Sequence, residues 1–263
     1  MRSIARGSLP GEVERVPDSL TLIGLLLAIV AVFGGNLLEG GHPGSLIQLT
    51  ALLIVVGGTI AAVLIQTPLP VFLRAMRMVP TAFWRPEGNG HHETIRRITQ
   101  WCRIVRRDGL LGLDGVAESQ SDPFIGSGLQ LVVDGTEPDL IRHTMELELH
   151  VREDHDMEAV RVVEAAGGYA PTIGILGAVL GLIHVLENLA DPDTLGSGIA
   201  VAFVATVYGV GLANLLLLPL AGKLRGIMRR NVRYQEMIVD GIVAIAQNEN
   251  PRTVESRLRS YLE

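Results

Sequence analysis

The chain is poor in residues that mark several protein classes. One of its 263 residues is cysteine, Cys102, which excludes a disulfide framework and a cysteine-based metal site. Lysine is nearly missing too: the 22 cationic residues are 21 arginines and Lys223. Charged residues make up 19%, against roughly 25% in an ordinary soluble domain, and aromatics 4%. The shortage of charge is uneven. No Lys or Arg lies between Arg15 and Arg74, and none between Arg161 and Lys223. Two cation-free windows of that length exclude an ordinary soluble globule. A net charge of −6 and a pI near 5.7 exclude a nucleic-acid binder. There is no P-loop, no nucleophile elbow and no H-E-x-x-H, so no enzymatic activity is expected. His143, His150 and His155 lack the i,i+4 spacing of a helical metal pair, and His91-His92 is a loop pair. No metal and no resident cofactor are expected.

Four long apolar runs fill the two windows. Residues 20–38 and 46–64 form one pair, and 168–186 and 198–220 the other. Each is long enough to cross ~30 Å of hydrocarbon at ~1.5 Å per residue. Backbone groups in lipid must be paired internally, so the runs are read as helices. The turns within the pairs, 39–44 and 187–197, carry acidic residues and no Lys or Arg. The cations flank the other ends: Arg2, Arg6 and Arg15, then Arg74 and Arg77, then Arg161, then Lys223, Arg225, Arg229 and Arg230. The positive-inside rule then places both termini and the middle segment in the cytoplasm of a multi-pass protein surrounded by membrane lipid. The expected fold is an all-α membrane protein with four transmembrane helices. Residues 1–66 form the N-terminal region and first hairpin, and 165–221 the second hairpin. Between them, 67–164 form a helical cytoplasmic domain, and 222–263 a cytoplasmic tail.

The middle segment holds eleven Arg and sixteen Asp and Glu, a solvated surface. Its pattern predicts a helix over 92–107 with Ile95, Ile98, Trp101, Cys102 and Val105 on one face, stopped at Gly109. Further helices are predicted over 110–117 and 123–133. A long one opens at Thr136-Glu-Pro, with Thr136 as candidate cap and Pro138 in the first turn, and runs almost straight into the third span. No strand pattern of any length is visible.

In the third span Gly174, Gly177, Ala178 and Gly181 share a helix face, and in the fourth Ala202, Thr206, Gly209 and Ala213 do. Small residues let helices approach closely, so packing alone accounts for the glycines. Pro171, Pro219, Thr206 and Asn214 go beyond packing. The span interiors contain no Asp, Glu, Lys or Arg, and His184 lies near the outer end of its run. An ion pathway needs an ionisable group at membrane depth. If the chain conducts ions, another chain must supply that carboxylate.

These residues resemble the MotA/PomA family of flagellar stator subunits, within the MotA/TolQ/ExbB proton channel superfamily. Gly168-Tyr-Ala-Pro-Thr-Ile-Gly-Ile-Leu-Gly-Ala-Val-Leu-Gly-Leu-Ile-His is similar to the family's third span. Ile199-Ala-Val-Ala-Phe-Val-Ala-Thr-Val-Tyr-Gly, Ala213-Asn214 and Pro219-Leu-Ala-Gly-Lys-Leu are similar to its fourth. Arg106-Arg-Asp-Gly-Leu-Leu-Gly-Leu-Asp114 resembles its cytoplasmic signature. The resemblance is nearest to MotC-type members. It implies a subunit of the bacterial inner membrane that forms a homo-oligomer, a pentamer in the family, around a MotB-like, single-span, peptidoglycan-binding partner. That partner brings the membrane aspartate, and the cytoplasmic domains push on the rotor protein FliG.

Residue by residue, the resemblance gives Arg106, Arg107 and Asp114 a rotor contact. Without it, all three read as a solvated helix end. Asp114 is one methylene shorter than the family's usual Glu. Pro171, Ala178, Thr206 and Pro219 fall at ion-channel positions, with Gly174, Gly177, Gly181 and Gly209 packing the helices. Sodium-driven members carry Thr where this chain has Ala178, so the translocated ion is expected to be H⁺. A TolQ/ExbB-type energiser of an outer-membrane process is the alternative, but those proteins have three spans. A plain membrane scaffold is a third possibility.

Overall fold

The computed structural model describes residues 15–86, 90–187 and 192–262. Arg2 and Arg6 before the first span, and Asp191 in the acidic turn 187–197, lie outside the described residues. The described chain is almost entirely helical. It divides into two compact units, one built from 17–85 and 155–227 and the other mainly from 86–154 and 228–263.

The first unit holds the four apolar helices. Helix α1 is Ser19–Leu38 and α2 is Leu49–Gln66. The third is the apolar end of α7, Pro138–Glu187, a single helix of 50 residues. The fourth belongs to α8, which runs through Pro192–Gly211, Leu212–Leu217 and Leu218–Ala246. All four are long and apolar enough to cross a membrane. Their outer faces are bare aliphatic surface, with Leu26 60%, Leu27 61% and Ile65 87% exposed. Surface of that kind, continuous over four helices, is stable against lipid and not against water. The second span starts at Leu49 and not at 46, because Pro43–Leu46 closes a separate 3₁₀ turn first.

Two spans contain a π-helical turn, Leu53–Gly57 in α2 and Leu212–Leu217 in α8. The second lies just before Pro219. Proline has no N–H for the carbonyl four residues back and its ring crowds that carbonyl. The widened turn absorbs the mismatch, and the helix continues beyond it. Between α2 and the second unit come α3, Leu69–Met78, and a 3₁₀ turn, Val79–Phe83.

Two short strands, β1, Arg15–Pro17, and β2, Trp84–Pro86, form a two-stranded sheet within the otherwise all-α fold. Three residues are too few to show a period of two in the sequence.

The second unit is a soluble-type helical core. Helix α4 covers Gly90–Asp108, and the predicted face is the buried one: Ile95, Ile98, Trp101, Cys102 and Val105 are all 6% exposed or less. Gly109 stops it with φ +79°, a conformation that suits glycine. The helix expected over 110–117 is instead a 3₁₀ turn, Leu110–Leu113, followed by α5, Asp114–Glu118. Helix α6, Pro123–Val133, has Pro123 in its first turn and is capped by the Asp122 side chain, which accepts from the Phe124 N–H at 2.9 Å. Gly135, at φ +70°, ends it. In α7 the first helical bond goes to the Glu137 carbonyl, so Glu137 and not Thr136 holds the cap position. Thr136 instead donates its N–H back to the Leu131 carbonyl at 3.1 Å. Ile238, Ile242 and Ile245 of α8 and Val254 and Leu258 of α9, Pro251–Arg259, complete the core around Phe124, Leu129 and Met145. Full burial of each such side chain is worth about 1.5–3 kcal/mol.

Candidate functional site

The spans of α7 and α8 cross at backbone distance. A methyl group on Gly174 would lie 2.8 Å from the Ala205 carbonyl oxygen and 3.1 Å from Gly209 Cα. One on Gly209 would lie 2.5 Å from the Ala170 carbonyl oxygen. Gly181 meets the Ala202 backbone, and Gly177 meets Ala205 Cβ and Ile54. Nothing larger than hydrogen fits at these positions without separating the helices. The seam on α8 is thus Ala202, Ala205 and Gly209, at i, i+3 and i+7. The sequence pattern selects Thr206 and not Ala205, because both phases are compatible with a small-residue face.

Thr206 is half-buried beside the seam, and its hydroxyl donates to the Ala202 carbonyl of its own helix at 3.4 Å. Pro171 and Ala178 lie seven residues apart on one face of α7, both half-buried, flanking Gly174. Pro219 is exposed on α8, past the π turn. Pro171, Ala178 and Thr206 therefore border a tight, uncharged helix pair.

Polar ties that the sequence reading missed hold the first hairpin to the second within this unit. The Tyr208 hydroxyl donates to the Leu46 carbonyl and accepts from the Gln48 N–H at 3.2 Å. Tyr169 donates to Gln66 at 2.5 Å. Lys223 pairs with Asp18 and donates to the Thr21 hydroxyl. These partners are far apart in sequence, so local spacing carries no trace of them. The lone lysine was the available signal.

In the other unit, Arg106 and Arg107 sit in the last turn of α4, both exposed. The turn after Gly109 folds back on that helix end: a Cβ on Gly112 would lie 2.9 Å from Asp108 Cβ and 3.0 Å from Ile104 Cγ2. This brings Asp114, exposed at the start of α5, back toward the same end as Arg106. Arg107 is engaged locally. Its guanidinium holds Asp108 through three hydrogen bonds of 2.8–3.1 Å. Those bonds raise the Arg107 pKa and lower that of Asp108. Arg106 stands beside this ion pair, exposed at the same helix end.

Two family models match the chain: motility protein A N-terminal over residues 22–109, and the MotA/TolQ/ExbB proton channel family over 116–237. The chain is 34% identical to motility protein A of Bacillus subtilis, over 93% of its own length and 91% of that protein's. It superposes on the structure of C. jejuni MotAB with a TM-score of 0.86 at 32% identity, covering 94% of this chain and 96% of that one. The flagellar MotAB stator complex from Bacillus subtilis gives 0.85 at 34% identity, with the same coverage. By sequence over nearly its whole length and by fold, the chain belongs to the MotA/TolQ/ExbB proton channel family, in its motility protein A branch.

Proposed function

We propose that the chain is the ring-forming stator subunit of a bacterial flagellar motor, which conducts protons together with a MotB-like partner and pushes on the rotor protein FliG. The observation that carries this reading is the seam: two spans packed backbone to backbone, with no Asp, Glu, Lys or Arg at membrane depth, in the fold of two MotAB complexes. Such a pair forms a smooth wall and cannot bind an ion by itself. A carboxylate on a partner helix laid beside Pro171, Ala178 and Thr206 would complete the path. Charging and neutralising that carboxylate changes the cost of its position against an apolar wall, which is how proton flow can move one helix set past another.

The cation distribution supports an orientation with both termini and the second unit on the cytoplasmic side of the inner membrane. Arg106, with Asp114 toward the same end, then faces the cytoplasm as the charged contact to the rotor. Arg107, exposed beside it while also holding Asp108, belongs to the same contact. Ala178 supports H⁺ over Na⁺: a methyl supplies no oxygen, and Na⁺ needs several oxygen ligands.

The test is proton flux into vesicles holding the chain and its MotB-like partner. Flux that vanishes when the partner's membrane Asp is replaced by Asn is the expected result. No flux from the intact pair overturns the reading and leaves a scaffold. Swimming that strictly requires sodium overturns the proton assignment alone. An R106E variant that inserts and conducts normally is expected to lose motility, and unchanged motility removes the rotor contact.

A further inference from the structure

Twenty-one of the chain's cations are arginine, and the one lysine occupies an unusual place. Lys223 lies one helical turn beyond Pro219. Its side chain is 24% exposed, and that of Asp18, its partner, 3%. Two other ion pairs of this unit are more open: Arg225–Glu164 is 35% and 45% exposed, and Arg74–Asp156 is 44% and 41%. Exposed pairs of that kind contribute little. Asp18 is also diverted from its usual work. It stands at the N-cap of α1, where an aspartate side chain normally accepts from the first backbone N–H groups of its helix, and here it makes no such bond. Its carboxylate instead accepts from the Thr21 hydroxyl at 2.9 Å and from Lys223, which also donates to Thr21. The three groups are thus joined pairwise. The Asp18 N–H is fixed as well, donating to the Phe83 carbonyl at 2.8 Å.

Beside these groups lies a cavity of about 340 Å³. Gly24 and Ala28 of α1 line it on one side, and Asn214, Leu216 and Pro219 of α8 on the other. The stretch of α8 that faces this space contains the π turn and the proline, the two places where its hydrogen-bond ladder is weakest. One turn further on, Lys223 pins it. A compact ammonium suits this place, whereas a planar guanidinium has a wider fork to satisfy.

We propose that Asp18, Thr21 and Lys223 are positioning residues for the ion-driven step: a clamp that pins the turn after Pro219 to the start of the first span. Movement of α8 against the cavity then occurs about a fixed point. The inference rests on the proton-channel reading above and adds its mechanical anchor.

The test compares D18N, K223M and the double variant, each expressed with the MotB-like partner. Removing one charge leaves the other less well compensated, whereas removing both does not. A merely structural pair therefore predicts that the double variant recovers assembly and proton flux together. The clamp predicts that it recovers assembly while flux per assembled complex stays down about tenfold, equivalent to about 1.4 kcal/mol. Flux that follows the amount of complex in all three variants overturns the clamp. Absent flux in the unmodified pair overturns the channel reading instead. A second readout then decides the clamp without flux: spin labels at Leu25 and Leu216, with Cys102 replaced by Ser, give one narrow distance that broadens in D18N/K223M. An unchanged distribution overturns the clamp.

Discussion

A single methyl group, placed at either of two positions two residues apart in α8, isolates what the span crossing contributes. At Gly209 the new Cβ would lie 2.5 Å from the Ala170 carbonyl oxygen and 2.9 Å from Gly174 Cα. Comfortable carbon contacts lie at roughly 3.5–4.0 Å, so the helices must part by about 1 Å. Both obstacles are backbone and cannot rotate away. Overpacking of this kind costs about 1–3 kcal/mol, and replacing a helical glycine with alanine returns about 0.5–1 kcal/mol. From the middle of both ranges, the net for G209A is a loss of about 1 kcal/mol, or roughly 5-fold in the packed population. At Gly211 a Cβ meets nothing within 4 Å. G211A therefore gains the propensity term alone, about 0.5–1 kcal/mol. Thermal melting of the purified complex with its partner in lipid nanodiscs measures the pair side by side. The reasoning predicts melting points displaced in opposite directions. G209A as stable as the unmodified chain, or G211A equally destabilised, would refute it.

Three further outcomes are expected in the soluble-type unit. G109A forces a side chain into φ +79° at the end of α4 and should cost about 1–2 kcal/mol in denaturant titration, while G115A, where a Cβ meets nothing, should not. The Cys102 thiol, pushed up to about 11 mainly by burial, should resist maleimide at pH 8 in the folded chain and react readily once unfolded; equal rates in both states would contradict its burial. Tyr261 is pushed up to about 12, first by burial and then by its 2.5 Å hydrogen bond to Asp240. Because the folded state holds this proton more tightly, its contribution is complete below pH ~10 and lost as pH rises toward 12. A tyrosinate absorbance titration should lose its Tyr261 step in Y261F, and D240N should move that step to lower pH.

Much of the fold is legible because it is written in composition over lengths of a span or a turn. Cation-free windows mark the hairpins, and Asp122-Pro123, Gly109 and Gly135 mark helix ends whose chemistry is local. The buried face of α4 follows from the 3.6-residue period. What cannot be read is what depends on partners distant in the chain. Nothing near Asp18 announces Lys223, 205 residues away, and nothing near Tyr208 announces Leu46. The phase of the α8 seam also escaped, since Ala205 and Thr206 are both small and only the partner helix chooses between them. In the candidate site the glycines and prolines were visible. The Arg107–Asp108 ion pair was not, because Asp108 looks like one more charge on a solvated end.

The two π turns bear on which changes of chain length the spans can accept. A π turn is a helix carrying one residue too many, with the surplus confined to a single bulge. Deleting one residue within Leu53–Gly57 or Leu212–Leu217 can let the bulge relax to an ordinary turn, with both flanks keeping their facing. The same deletion one turn away would rotate everything below it by about 100° and turn the glycine seam away from its neighbour. The bulges thus look like inserted residues that the spans have kept, and they mark where a shorter relative would align with a gap.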